Sequence, residues 1–169
     1  MSDNKELKTD KLTVQLEDNG DSAKISISGN IDEDFDYKFL LEKKFKDYVV
    51  DFEGLGLINS CGIREWITLL TELNDVNSIT YINCPAIIVK QMNMVDGLLP
   101  KNAYVESFYG PYVCEECDEE TNIILIPDKI KNSKAPEVKC SSCNEVMEFD
   151  TYEDQYFRFI GLQENLKAS

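Results

Sequence analysis

The chain has 169 residues, with 17 Lys plus Arg against 32 Asp plus Glu, six cysteines and no histidine, for a net charge of −15 at pH 7. That charge repels phosphate backbones and anionic lipid, which argues against nucleic acid as a partner, and the missing imidazole removes Ser-His-Asp and Cys-His nucleophiles and every His-ligated metal site. With 43% hydrophobic and 29% charged residues, the composition is that of a folded globular protein, and its length allows one domain with a sizeable core plus a small appendage.

The start, Met1 to Lys11, is polar and lacks the apolar centre of a signal peptide, and no apolar run reaches membrane-spanning length. This predicts a cytoplasmic protein without membrane insertion. Leu12, Val14 and Leu16 alternate with polar residues, Asp18-Asn19-Gly20-Asp21 follows, and Ile25 and Ile27 resume the alternation, which predicts a hairpin. Beyond Gly29, Asp32-Glu33-Asp34 suits the positive end of a helix, and Phe35, Phe39, Leu40 and Phe45 recur at roughly helical spacing, which predicts a first helix ending at Lys46. The acidic cluster and Asp96 lack the spacing of a calcium loop and read as helix-end charges.

Tyr48 to Phe52 is short, apolar and β-branched, a central strand, and Gly54 and Gly56 open the loop after it. From Ser60 onward Ile63, Trp66, Ile67, Leu70 and Leu73 mark one face of a second helix, with Trp66 in the core. Ile79 to Ile82 is a strand. Pro85 opens a third helix from Ala86 to about Asn93, ended by Gly97 and Pro100, and Tyr104 to Phe108 is one more strand. Gly110-Pro111 then interrupts the pattern, which places a boundary between a domain of residues 1–110 and a segment of residues 111–169. The order of elements predicts an α/β domain, a mixed β-sheet with helices packed on it.

Cys114-Glu115-Glu116-Cys117 and Cys140-Ser141-Ser142-Cys143 are two C-x-x-C units. Four thiolates at this spacing match a tetrahedral Zn2+ site with Cys114, Cys117, Cys140 and Cys143 as ligands, hence a small zinc-ribbon β subdomain with strands at Ile123 to Ile126 and Glu145 to Phe149. Asp118 and Asn144, which follow each pair, are among the few non-glycine types that tolerate positive φ. Thiol-disulfide exchange is the competing chemistry. Glu115 and Glu116 oppose it, because negative charge between the sulfurs raises the thiol pKa that an active dithiol must lower. From Tyr112 to Ser169 there are thirteen acids and six bases, so this ribbon should avoid DNA and RNA. The aromatic tail, Tyr152, Tyr156, Phe157 and Phe159, is expected to pack on its own domain. Cys61 and Cys84, outside the pairs, read as buried apolar cysteines.

The stretch Val49-Val50-Asp51-Phe52-Glu53-Gly54-Leu55-Gly56-Leu57-Ile58-Asn59-Ser60-Cys61-Gly62-Ile63 resembles the central segment of STAS domains, the fold of bacterial anti-sigma-factor antagonists, where strand, short loop, Asp-Ser-Ser/Ala-Gly and helix follow in turn. In order of elements the resemblance covers Leu12 to about Phe108; in residues it is specific around Val49 to Leu70. It implies a sheet flanked by helices, no enzymatic activity, and a serine at the helix start that an anti-sigma-type kinase phosphorylates. That serine falls on Ser60 and the helix glycine on Gly62. Asn59 stands where the family has Asp, and Cys61 where it has Ser or Ala.

A helix N-terminus carries free amide donors and a positive dipole end, so it accommodates either a seryl oxygen or a phosphate, while the added charge changes what can dock nearby. The expected function is a regulatory protein-protein interaction module switched at Ser60, with Asn59, Ser60, Cys61, Gly62 and Arg64 at the partner surface and a homo-oligomer left open. Two rival classes are a constitutive STAS adaptor subunit of a larger complex and a thiol redox protein using its C-x-x-C pairs.

Overall fold

The computed structural model describes residues 4–168; residues 1–3 of the polar start and Ser169 lie outside it. Six strands form one mixed sheet in chain order: β1 (Lys5–Lys8), β2 (Leu12–Asp18), β3 (Ser22–Ile31), β4 (Asp47–Ile58), β5 (Ser78–Ile82) and β6 (Ala103–Val105). The first three pair antiparallel, and β3 to β6 pair parallel. The hairpin is as its alternation predicts, with Val14 opposite Ile27 and Leu16 opposite Ile25. Each strand turns one set of side chains inward: Leu12, Val14 and Leu16, then Ala23, Ile25 and Ile27, then Tyr48, Val50 and Phe52, then Ile79 and Tyr81. Helices α1 (Ser60–Glu72) and α2 (Ala86–Met94) make the β4-to-β5 and β5-to-β6 crossovers and bury Trp66, Leu69 and Leu70, and Ile88, Val89 and Met92, in the same cluster. The residues that both helices bury lie in one cluster with the inward side chains of the strands, as right-handed crossovers progressing in one direction require.

Trp66 lies at the centre of that core. It stacks on Phe35 with ring centroids 5.8 Å apart, meets Phe52 at 5.5 Å, and its indole N–H reaches the Tyr81 hydroxyl at 3.4 Å, which itself donates to the Leu98 carbonyl. The opposite face carries Thr13, Gln15, Lys24, Ser26, Ser28 and Asp51. Here Asp51 receives hydrogen bonds from Asn83 and ion-pairs with Lys24, tying β3, β4 and the end of β5 together.

The first helix expected over Phe35 to Lys46 is not formed; the segment holds only a 3₁₀ turn at Lys38–Leu41. Asp32 and Asp36 use their carboxylates to accept the backbone N–H two residues on, a local turn that competes with helix capping. Lys43 and Lys46 then pair with Asp18 and Asp21 at the β2–β3 turn and Lys44 with Asp75 beyond α1, while Phe35, Leu40 and Phe45 are buried. Anchors pointing in several directions suit an irregular strap rather than one helical face.

The strand expected over Tyr104 to Phe108 is split, since β7 begins at Phe108 and runs to Val113. With β8 (Glu120–Leu125) and β9 (Glu148–Phe149) it forms a second, antiparallel sheet of order β8-β7-β9. Gly110 and Pro111 lie inside β7, so the chain crosses that point as continuous strand. A Cβ on Gly110 would come within 2.6 Å of Leu125 and 2.8 Å of Phe149, which is why glycine stands there. Two short helices, α3 (Glu153–Tyr156) and α4 (Arg158–Ala168), follow. Tyr156, Phe157 and Phe159 are buried around Phe108, in one cluster with the large sheet.

Gln163 of α4 closes the outer edge of β6. Its side-chain oxygen accepts from the Val105 N–H at 2.7 Å, and its amide donates to the Val105 carbonyl at 3.3 Å. Both edge groups of a buried strand are thereby satisfied by one side chain. Gln163→Ala leaves them unpaired and is expected to cost about 2 kcal/mol in urea unfolding; a loss within experimental error would show that water replaces the amide.

Candidate functional sites

Two clusters of functional side chains emerge, one at the start of α1 and one at the cysteines. At the first, β4 ends on buried Ile58 and the chain turns through Asn59, whose extended backbone (φ −93°, ψ 178°) makes it the N-cap of α1. The Asn59 side-chain oxygen accepts from the Gly62 N–H at 2.8 Å, and its amide donates to Glu33 at 3.0 Å. The Asn59 N–H in turn donates to the Ile31 carbonyl at the end of β3. Glu33 is held below the usual carboxylate range by its own backbone N–H and then by Asn59.

Ser60 is the first helical residue and is exposed, as is Arg64 one turn later, while Cys61 is half-buried. Gly62 is buried beneath them. A Cβ there would lie 2.3 Å from the Ile31 carbonyl oxygen, so glycine permits the helix start to sit against the end of β3. Gly62 therefore supports the surface from below instead of forming part of it. Glu33, which the sequence pattern places at a helix end, instead accepts from the capping Asn59; the long-range partner of a loop carboxylate leaves no local pattern.

At the second cluster, the four Sγ atoms of Cys114, Cys117, Cys140 and Cys143 lie within 4.8 Å of one another. Cys114 and Cys143 are 3.4 Å apart and Cys117 and Cys140 3.5 Å, and none is in a disulfide. Tetrahedral metal–sulfur bonds of about 2.3 Å place sulfurs about 3.8 Å apart, so the group can hold a metal ion. The two units fold alike. Cys114 N–H donates to the Glu119 carbonyl and Cys140 N–H to the Glu145 carbonyl, each at 2.8 Å, and Asp118 (φ 56°) and Asn144 (φ 64°) take up the positive φ that their residue types allow.

Cys114 and Cys140 are buried and Cys117 and Cys143 exposed. The backbone N–H of Cys117 is the main cause that lowers the Cys114 thiol to about 7. At Cys117 the Glu119 N–H also lowers, but the sulfurs of Cys140 and Cys114 raise, and the net result is about 12. Four crowded sulfurs resist bearing four charges by themselves; a cation resolves that conflict. Glu119, unnoticed in the sequence, accepts from Ser141 at 3.1 Å and from Ser142, so the first unit clasps the second beside the sulfurs. Of the two cysteines expected to be buried, Cys84 is, and burial drives its thiol far upward, whereas Cys61, near the surface at the start of α1, is only half-buried.

Among the described residues no helix is long and apolar enough to cross a membrane. No protein-family model matches the chain, and no curated protein matches it.

Gly62→Ala is expected to lower unfolding free energy by about 1–3 kcal/mol, since the new methyl meets backbone, with Asn59→Ala costing about 1 kcal/mol; denaturant titration measures both. Stripping metal with a strong chelator is expected to make all four paired thiols reactive towards a disulfide reagent and to melt the β8 and β9 region while the large sheet persists by circular dichroism. Four thiols equally reactive before and after chelation would contradict a metal-filled site.

Proposed function

We propose that this protein is a regulatory protein-interaction module of the STAS type, switched by phosphorylation at Ser60, with a structural zinc ion held by Cys114, Cys117, Cys140 and Cys143. The observation that carries the reading is that Asn59, and not Ser60, caps α1, which leaves the Ser60 side chain exposed at the helix start. A phosphate there adds a charge of about −1.5 to −2 beside free amides and the positive dipole end, so it changes docking without removing a fold contact. Arg64, four residues on and on the same face, would pair with the phosphate and be withdrawn from the surface. The unmodified surface of Asn59, Ser60, Cys61 and Arg64 docks a protein partner, an anti-sigma-type kinase in the form the resemblance implies. No active site is proposed.

Zinc is the metal that an all-cysteine tetrahedral site favours, and a site closed by four thiolates leaves no open position for catalysis. Its role is to hold a segment whose own buried cluster, among the described residues, is Tyr112, Cys114, Cys140 and Met147. One bound zinc per chain would separate this reading from a thiol redox protein.

A specific contact favours a second reading. The amide of Asn59, at the position where the family carries a carboxylate, is engaged inside the chain by Glu33. A kinase or partner that needs the free carboxylate would not be served, and the same surface would then act constitutively as an adaptor in a larger assembly.

Ser60→Asp is expected to weaken partner binding by at least about tenfold, or 1.4 kcal/mol, with the melting temperature little changed. Mass spectrometry of protein isolated from cells should find phosphate on Ser60. Equal partner affinity of wild type and Ser60→Asp, with unmodified Ser60 in cells, would leave the adaptor reading in place of the switch.

A further inference from the structure

Sheet edges expose unpaired backbone groups, and folds ordinarily protect them. Here β6 is closed by Gln163, β9 has only two residues, and β1 is four residues long with lysine at both ends. β8 differs. It has six residues, Glu-Thr-Asn-Ile-Ile-Leu, without proline, lysine or bulge, and among the described residues no strand lies beyond it. Ile124 and the adjoining Ile126 are each 48% exposed.

The register shows which groups are free. Pro111 stands opposite Asn122, and proline has no N–H, so this pair cannot be a hydrogen-bonded one. Hydrogen-bonded and non-bonded pairs alternate along an antiparallel ladder. Thr121 and Ile123 therefore bond inward to β7, while Glu120, Asn122 and Ile124 direct N–H and C=O outward. Beside them, Asn122 and Tyr109 line a surface cleft of about 480 Å³ whose floor and walls include Leu55, Pro85 and Ile87, with Glu53 at its rim. Residues 114–120 hold five carboxylates and no base. Neither Glu53 nor Glu120 forms an ion pair among the described residues.

We propose that the outer edge of β8 is a docking site for an extended, net-basic segment of a partner protein, which adds as a further strand beside Glu120–Leu125 and places an apolar side chain in the cleft. The free ladder supplies main-chain hydrogen bonds, the alternation of side chains sets the register, and the carboxylates select the charge: Glu53, whose oxygens accept only from the neutral Tyr109 hydroxyl among the described residues, and Glu120 have no cation beside them. A second copy fits poorly. Self-pairing would bring two chains of net charge −15 together along strands that carry no base. The site requires neither Ser60 nor its modification.

The test uses the full-length protein and labelled heptapeptides alternating Lys or Arg with Val, Ile, Leu or Tyr, followed by fluorescence anisotropy. Some of these should bind, their Lys-to-Glu counterparts should not, and N-methylating one alternate set of peptide amides should weaken binding by at least about tenfold while methylating the other set leaves it unchanged. Asn122→Pro, which removes an outward N–H without breaking an inward bond, should weaken binding similarly. The proposal is overturned if no heptapeptide binds or if both N-methylated sets bind like the unmodified peptide. It also fails if sedimentation reveals a dimer that Asn122→Pro dissolves, which would assign the edge to a second copy.

Discussion

The hydrogen bond from the Gly62 amide to the Asn59 side chain decides where α1 begins, and the exposure of Ser60 follows from it. Because the cap is supplied one residue earlier, the serine hydroxyl is relieved of the task that serines most often perform at helix starts. The cap depends on the end of β3: the Ile31 carbonyl accepts the Asn59 N–H and sits where any Cβ on residue 62 would fall. One short stretch thus joins strand, loop and helix so tightly that a group added to Ser60 meets solvent, while one added two residues later meets backbone.

The cysteine units solve a different problem. A sheet of three strands, one with two residues, has little apolar area of its own to bury. Its fold is held at one end by four sulfurs gathered within 4.8 Å and at the other by Phe108, Tyr156 and Phe157, which belong to the core of the large sheet. Strand β7 runs between these anchors. The four-cysteine segment is thereby joined through β7 to the cleft that Leu55, Pro85 and Tyr109 line.

Strong local periodicity made much of this visible in the sequence. Alternation marked the hairpin, the apolar stripe through Trp66 marked α1, and the C-x-x-C units followed by Asp118 and Asn144 announced two turns of positive φ. The Phe35 to Lys46 segment misled because its aromatic spacing imitates a helix, whereas its lysines answer to Asp18, Asp21 and Asp75, which are distant in sequence. Gly110-Pro111 imitated a break because neither the packing room that glycine leaves for Leu125 nor the alternation that spares the proline a donor is a local property. Glu33 and Glu119 were illegible for the same reason: an exposed carboxylate acquires meaning only from a partner across the fold.

On the proposed reading, a phosphate at the start of α1 adds to the surface and leaves the fold intact. An amide correlation spectrum of protein carrying phosphoserine only at position 60 checks that reading. Large shifts are then expected only at Ser60, Cys61 and Arg64, with Gly62 still held by Asn59 and the resonances of the β-sheet unmoved. Shifts spreading through β3 and β4, or loss of the α1 signals, would contradict it.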